Sequence, residues 1–355
     1  MKTETNKYIY NYATENDGNE LAELLEETAF DGDFNIVYAR RPNAFNSLRQ
    51  DSEESAIIVA RDKNDNNHIF GMGMCSINKM LVNGQVENIG YMNGFRRKQN
   101  MGGNILQIYQ MFKDYCKEHK VKYTYTTILE DNLHAQKLLT KKRKLMPDYI
   151  KIADYTVNIF KSNLKYKSDN RCENAKESDY EALKIFIEKE SKNQTFFPYI
   201  DLNKEFFGLN YKNFYVLKNP EGQILACGIL WNQTKYKQLI VKHYSLKYKI
   251  ILHLSNWILK LINFPVLPKI NEIINYSTLS FVLYKNGDDK YLNDFIKQVS
   301  HTVKEKMFVY ASTKELTENI TPMKYKSFVY IVDWDKNFDE KEFKDKNLYI
   351  ECGLL

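Results

Sequence analysis

The spacing of apolar residues predicts a helix and several strands in the first 160 residues. Alternation over 8–12 is typical of a strand, and Leu21, Leu24 and Leu25 mark one face of a helix over 16–28. Apolar, β-branched runs at 56–61, 68–79 and 86–92 predict an antiparallel meander with a tight hairpin at 82–85. Residues 34–49 are expected to be irregular because Pro42 interrupts them.

The pattern changes after the third strand of the meander. A basic loop with three glycines, residues 94–103, leads into a helix over 103–119. A strand over 121–129, a short helix capped by Asp131 or Asn132 that ends near Lys141, and a strand over 149–160 follow. These elements predict an α/β first domain of α+β type, a mixed sheet flanked by helices, over residues 1–162.

The second half of the chain repeats this order of elements. A polar stretch, residues 163–177, is expected to be a linker, and residues 178–355 a second, diverged domain. Its pattern predicts strands and helices in the following ranges: a helix at 179–192, strands at 214–217, 224–231, 238–244 and 279–284, a helix at 290–306, and strands at 307–311 and 327–334. The apolar stretch 249–264 has helical spacing and predicts a helix buried on one face, with a membrane-surface helix as the alternative.

Composition narrows the function classes. With 43% hydrophobic and 27% charged residues the chain is typical of a folded protein, and a net charge of +6 favours anionic ligands without predicting a nucleic-acid partner. The five cysteines and six histidines lack metal-ligand spacing, so no metal site is expected. The absence of a signal-like or membrane-spanning segment, together with the cysteine pattern, predicts a cytoplasmic protein without a membrane partner.

The basic glycine loop carries the first chemical signal. A loop that opens a helix presents free backbone N–H groups and the positive end of the helix dipole, which together favour a pyrophosphate. Arg97 to Gly103 is the relevant run. Short basic glycine loops are common, however, so this motif alone does not define a ligand.

Two motifs in order make the segment resemble the GNAT superfamily of acyl-CoA-dependent N-acyltransferases. The family has a strand, Arg/Gln-x-x-Gly-x-Gly/Ala, a helix, a strand and a helix carrying Asn-x-x-Ala-x-x-Leu. Here Arg97-x-x-Asn100-x-Gly102 and Asn132-x-x-Ala135-x-x-Leu138 stand at these positions, and the match covers residues 8–160. The whole chain resembles bacterial proteins in which two GNAT-like domains are joined in tandem.

The resemblance implies acetyl-CoA, or another acyl-CoA, as the cosubstrate, and it implies no metal. The implied cofactor-binding residues are Asn93, Gly94, Phe95, Arg97, Lys98, Gln99, Asn100, Met101, Gly102, Gly103, Asn132 and Ala135. Backbone N–H groups near 93–95 would bind the thioester carbonyl. Glu87 stands where many members carry the general base, and a solvent-facing strand glutamate is the equal alternative.

Two positions depart from the family pattern. Asn100 replaces the first glycine of the loop, and Leu139 replaces the tyrosine that protonates the departing thiolate. Three alternatives follow: Tyr123, Tyr125 or Tyr149 takes that role, the thiolate leaves unaided, since its pKa is about 8.5, or catalysis is absent.

The acceptor side is predicted from an aromatic and basic stretch. Tyr38, Arg40, Arg41 and Phe45 would bind the acceptor, a small-molecule or peptide amine, and an acidic group on it would suit the arginines. Structural salt bridges explain the arginines equally well. In the second domain, Asp288 and Asp289 at the corresponding loop would repel a pyrophosphate. By analogy, the tandem arrangement is consistent with a monomer.

Two functions remain open from the sequence. The first is an N-acyltransferase, an acetyltransferase in particular, that moves the acyl group to an amine by direct attack. The second is a catalytically degenerate acyl-CoA-binding or scaffold protein, which Asn100, Leu139 and the acidic second loop favour.

Overall fold

The computed structural model describes residues 2–5, 7–27, 29–30, 34–98, 102, 105–169, 171–246, 249–250, 268–318, 323–344 and 346–355. The strands are β1 (Lys2–Glu4), β2 (Tyr8–Tyr12), β3 (Ala29–Phe30), β4 (Phe34–Ala39), β5 (Glu54–Asp62), β6 (Ile69–Val82), β7 (Gln85–Arg97), β8 (Tyr123–Leu129), β9 (Asp148–Lys161), β10 (Cys172–Asn174), β11 (Gln194–Thr195), β12 (Phe197–Pro198), β13 (Phe214–Lys218), β14 (Ile224–Trp231), β15 (Gln238–Tyr244), β16 (Ser277–Tyr284), β17 (Met307–Ser312), β18 (Met323–Asp333) and β19 (Asn347–Leu348). The α-helices are α1 (Gly18–Glu27), α2 (Ala44–Leu48), α3 (Ile105–Glu118), α4 (Leu133–Leu139), α5 (Tyr180–Ser191) and α6 (Asp289–Val299).

One large mixed sheet organises the described part of the chain. Its 14 strands run in the order β1-β2-β5-β6-β7-β8-β18-β9-β17-β16-β14-β13-β10, and β12 pairs with β6 off this path. Helices α3 and α6 each cover part of one sheet face with apolar residues. This mixed sheet with flanking helices confirms the predicted fold class.

The strand order repeats on either side of the antiparallel β18–β9 pair. β18 also pairs with β8, and β9 also pairs with β17, so the last long strand of each half lies against the other half. Next come two parallel pairs, β8 with β7 and β17 with β16. The boundaries of the two predicted domains stay a prediction, and the expected linker over 163–177 contains β10.

The largest core cluster lies between the two halves. Tyr91 and Tyr125 from the first half pack in it with Phe196, Phe281 and Ile331 from later in the chain. Met92, the neighbour of Tyr91, packs instead against α3 on the opposite face of the sheet. We call the face that carries Tyr91 and Tyr125 the inner face.

One segment predicted to be irregular and two predicted element ends were wrong. Residues 34–49 are not irregular, because β4 pairs with β15, as in Val37 with Ile240, and α2 follows. A partner about 200 residues away leaves no local signal in the sequence. The third meander strand does not end at Met92 but continues to Arg97, and the helix expected over 290–306 ends at Val299.

Most of the apolar stretch 249–264 lies outside the described residues, and so does its predicted helix. Within the described ranges, no helix combines the length and the apolar character that crossing a bilayer requires.

Candidate functional site

The parallel strands β7 and β8 separate towards their carboxyl ends. Backbone pairing between them covers only Ile89–Tyr91 with Tyr123–Tyr125, although both strands continue well beyond. The Thr126 hydroxyl donates to the Met92 carbonyl at 2.7 Å just past the last pair. Beyond that point β7 and β8 are no longer paired with each other, and the carboxyl ends of parallel strands that separate are a common place for a ligand.

A β-bulge lies on β7 at this opening. Met74 pairs with Asn93 but Met72 pairs with Arg96, so β7 has one residue more than β6 over this interval. Gly94 has φ +65°, a conformation that side chains disfavour, and Gly73 lies opposite, where an added Cβ would be 3.1 Å from the Phe95 ring. A bulge leaves its extra residue out of the ladder and re-aims the backbone, which suits a binding site.

The cofactor residues predicted on β7 come together at this bulge. Asn93, Gly94, Phe95 and Arg97 all lie on the end of the strand, and the Lys98 N–H donates to the Phe70 carbonyl at 2.8 Å. Gly102 is exposed, with the Tyr8 hydroxyl 3.0 Å from where its Cβ would be. The predicted residues Gln99, Asn100, Met101 and Gly103 lie outside the described residues. β7 ends at Arg97 and α3 begins at Ile105, so the strand and the helix follow in the predicted order.

Asn132 and Ala135 lie at the start of α4, directly after β8. The Asn132 side chain accepts the Ala135 N–H at 3.0 Å and caps this helix, as predicted. This contact gives a structural role to the asparagine of the motif, because its side chain satisfies a backbone N–H in the first turn of the helix. A cofactor-binding role for the two residues stays a prediction.

The structure does not bring Glu87 to the bulge. Glu87 lies near the opposite end of β7, where its carboxylate accepts from Lys122 at 2.8 Å. Seven residues of extended strand separate it from Gly94, a distance of about 23 Å. This environment is that of a strand glutamate in a surface ion pair and does not favour the role of general base.

Two tyrosines lie next to the bulge on the α3 side. Tyr109 stacks on Phe95 with ring centroids 5.6 Å apart, and its hydroxyl shares a hydrogen bond with that of Tyr149. Burial raises the pKa of Tyr109 to about 12 and holds the pKa of Tyr149 well above its ordinary value, so both are protonated at neutral pH. Of the three tyrosines considered from the sequence, Tyr149 is therefore connected to the bulge.

The other two tyrosines lie elsewhere. The Tyr123 hydroxyl donates to Glu342, and Tyr125 stacks on Tyr91 and Phe196 with centroids 4.9 and 5.6 Å apart. These contacts place both side chains in the packing between the two halves.

The predicted acceptor residues separate into two groups. Arg40 is buried, where it pairs with Asp51, donates to the Ser47 carbonyl at 3.1 Å and contacts the Tyr38 hydroxyl. Burial alone would lower the pKa of Arg40, but Asp51 and Tyr38 raise it above its ordinary value. Arg40 thus lies in the interior beside the partly exposed Tyr38, and structural contacts hold the two side chains together.

Arg41 and Phe45 lie apart from them. Arg41 forms a two-pronged surface ion pair with Glu26, with N···O distances of 2.8 and 2.6 Å. Phe45 on α2 packs against the α1 core, and the Arg49 guanidinium lies 5.2 Å from its ring. For both arginines the structural salt bridge is the contact observed.

Sequence reasoning missed a buried polar cluster between the halves. Gln233 donates to the Gly353 carbonyl at 2.8 Å and to Asp51 at 3.3 Å, while Lys237 donates to the same carbonyl at 3.2 Å and lies 3.7 Å from Asp51. We call Arg40, Asp51, Gln233, Lys237 and the Gly353 carbonyl the junction cluster. Asp51 and Gln233 are 182 positions apart, so no local pattern predicts the contact.

Arg96 belongs to the bulge on β7, and its guanidinium donates to the Phe95 carbonyl at 2.9 Å. Burial lowers the pKa of its guanidinium, and nearby Tyr38 and Tyr91 partly offset this effect. Among the described residues, no group of three His, Cys, Asp or Glu side chains is arranged to hold a metal ion.

Comparison with solved structures finds the same fold. A crystal structure of Saccharomyces cerevisiae N-myristoyltransferase with bound myristoyl-CoA matches 98% of this chain and 90% of its own, with a TM-score of 0.56 and 9% identity. A second structure of that enzyme, with myristoyl-CoA and inhibitors, matches 93% of this chain and 81% of its own, with a TM-score of 0.57 and 8% identity. At such identities the likeness shows the fold, which is of the GNAT type that the sequence motifs predicted. No protein-family model matches the sequence, and no curated protein matches it either.

Proposed function

We propose that this chain is an acyl-CoA-dependent N-acyltransferase with its donor site at the end of β7, and that acetyl-CoA is the donor. The observation that carries the proposal is the bulge at Gly94, which lies where β7 and β8 separate and directly before the loop that opens α3. Backbone groups at a bulge can hold the thioester carbonyl, and the loop and helix start can hold the pyrophosphate. The fold shared with an N-acyltransferase that binds myristoyl-CoA supports an acyl-CoA as the ligand.

The carbonyl would be polarised by main-chain N–H groups around Gly94 and Phe95. Attack by a neutral amine forms the C–N bond and places negative charge on the carbonyl oxygen. The nitrogen, now positively charged, gives up a proton to water, and collapse re-forms the carbonyl, breaks the C–S bond and expels the CoA thiolate. Hydrogen bonds aimed at the developing oxyanion stabilise this transition state more than the ground state. Tyr149, acting through Tyr109, is the group best placed to protonate the thiolate, because Tyr109 stacks on Phe95.

The amine would approach from the inner face of the sheet, which carries Tyr91 and Tyr125. An acceptor role for Tyr38 and Arg40 stays a prediction, since the contacts observed hold them to each other and hold Arg40 to Asp51. We do not assign the base to Glu87, which is paired with Lys122 at the far end of β7. An alkylamine with a pKa of about 10.4 would then react through its minor neutral form, and the rate would rise about tenfold per pH unit near neutrality.

A thiol-release assay tests this proposal. The purified protein is incubated with acetyl-CoA and a pool of small amines and peptides, and myristoyl-CoA replaces acetyl-CoA in a parallel series. We expect thiol release that depends on the amine and is faster with acetyl-CoA. Tight acyl-CoA binding without turnover would instead favour the degenerate binding or scaffold protein.

The same assay separates Glu87 from catalysis. We expect Glu87→Gln to keep kcat/KM within about twofold, because the removed charge belongs to an exposed ion pair remote from the bulge. Lys122→Gln is the matched control for loss of that ion pair. A loss of tenfold or more in Glu87→Gln, without one in Lys122→Gln, would restore Glu87 as the base.

A further inference from the structure

The second half contains a bulge that corresponds to the one at Gly94. On β14 and β16, Cys227 pairs with Leu283 but Ile229 pairs with Ser280, so β16 has the extra residue, and Gly228 lies opposite. Phe281 has φ +53°, close to the +65° of Gly94. β16 also separates from its parallel neighbour, since β17 pairs only with Ser277 and Thr278.

The backbone N–H groups of this second bulge are occupied by the chain itself. The Phe281 N–H donates to Glu351 Oε2 at 2.6 Å, and the Val282 N–H donates to the Tyr349 hydroxyl at 2.9 Å. The Tyr349 hydroxyl donates to the same Glu351 oxygen at 2.8 Å, and the Gly353 N–H donates to Oε1 at 2.8 Å. Glu351 is only 1% exposed, so both carboxylate oxygens are held by protein donors away from water.

A second carboxylate occupies the loop that follows this strand. Glu190 on α5 is 4% exposed and accepts the Asn286 N–H at 2.9 Å, directly before Asp288 caps α6. The loop corresponds to the proposed pyrophosphate loop of the first half. Carboxylates from the chain therefore fill both places where the donor's carbonyl and phosphates would bind.

We propose that the second bulge is a carboxylate-binding niche, formed by the N–H groups of Phe281 and Gly353 and the hydroxyl of Tyr349, with Glu351 as its internal ligand. Removal of the Glu351 side chain leaves a niche that takes a small monocarboxylate such as acetate. The filled niche also anchors the segment that presents the Gly353 carbonyl to Lys237 and Gln233. Glu351, which occupies the niche, thereby positions the Gly353 carbonyl of the junction cluster.

The test is chemical rescue of Glu351→Ala. Thermal unfolding is measured at pH 7 in sodium acetate, in sodium chloride of equal ionic strength, and in chloride with acetamide, the neutral analogue. We expect acetate to raise the midpoint of the variant by at least about 2 °C over both other conditions, because a ligand that binds only the folded state stabilises it. Wild-type protein should show no such difference, since its niche is filled. Equal midpoints for the variant in all three solutions would overturn the proposal.

Two further measurements test the niche if Glu351→Ala does not fold in chloride. Refolding is then attempted in the three solutions, and failure in acetate contradicts the niche. Glu351→Gln gives an independent answer, because an amide has one acceptor oxygen whereas the observed contacts use both carboxylate oxygens. We expect this variant to melt at least about 2 °C below wild type, and an equal or higher midpoint would count against the niche. Neither measurement uses acyl-CoA, so their outcomes are independent of the proposed enzyme activity.

Discussion

At the scale of single residues, the ion pair in the junction cluster is buried, whereas the ion pair next to it in sequence is exposed to solvent. The side chains of Arg40 and Asp51 are 4% and 5% exposed, whereas those of Arg41 and Glu26 are 55% and 26% exposed. The sequence shows two adjacent arginines with the same formal charge. In the structure, Arg40 is buried at the end of β4, where it contacts Ser47 and Asp51, and Arg41 remains at the surface.

This difference predicts unequal costs for removing the two acidic partners. We expect Asp51→Asn to lower the free energy of unfolding by about 3–5 kcal/mol, because it leaves Arg40 and Lys237 buried with less compensation. Glu26→Gln, the matched control at the surface, should cost about 1 kcal/mol or less. Urea denaturation measures both. Equal small losses would show that Asp51 is not needed to balance the buried cations.

Whether the role of a residue could be predicted depended on how far it lies in sequence from its contact partner. Asn132 could be recognised as a helix cap because its partner, Ala135, is three positions away. Asp51, Gln233 and Lys237 could not be recognised, because their contacts join segments that are far apart in sequence. Glu87 was chosen for its distance in residues from Arg97, and a spacing in sequence does not fix which end of a long strand reaches the site.

At the scale of elements, the bulge on β7 is the feature on which the proposed donor site depends. The sequence predicted the meander, its hairpin and the helix that follows, because their apolar spacing is regular. It placed Gly94 in a loop, whereas the strand continues through a bulge to Arg97. One glycine in an otherwise extended run can mark either arrangement, and pairing with β6 decides between them.

Gly94→Ala tests the bulge directly. The new methyl group would be 3.5 Å from the Met74 Cβ, an ordinary contact, but the φ of +65° is strained for alanine by about 1–2 kcal/mol. We expect the bulge to relax and acetyl-CoA affinity to fall at least about tenfold in calorimetric titration. Gly84→Ala is the matched control, because Gly84 has φ +76° in the remote hairpin and open space around it. Equal affinities in the two variants would remove the bulge from the donor site.

At the scale of the whole molecule, the two halves share one sheet and yet differ in their sites. β18 and β9 lie at the centre, each paired with a strand of the other half, and the order of strands repeats outward from them. The sequence indicated this repeat through the order of its elements. It could not show that the halves exchange their last strands, because strand pairing of this kind has no sequence pattern.

The sites of the two halves differ in what occupies their backbone N–H groups. In the second half, Glu351 and Glu190 accept from the bulge and from the loop before α6. Asp288 adds a further negative charge as the cap of that helix, which agrees with the repulsion expected from the sequence. We therefore expect one acyl-CoA per chain, bound by the first half.

Calorimetric titration with acetyl-CoA tests this central claim most directly, on wild-type protein and on a matched pair of variants. Gly102→Asp adds a carboxylate to the loop before α3, and Gly287→Asp adds one at the corresponding exposed loop before α6, where Gly287 has φ +66° and open space. We expect one equivalent bound by wild type and by Gly287→Asp, and no measurable binding by Gly102→Asp. Two equivalents for wild type, or binding lost in Gly287→Asp and kept in Gly102→Asp, would contradict a single donor site in the first half.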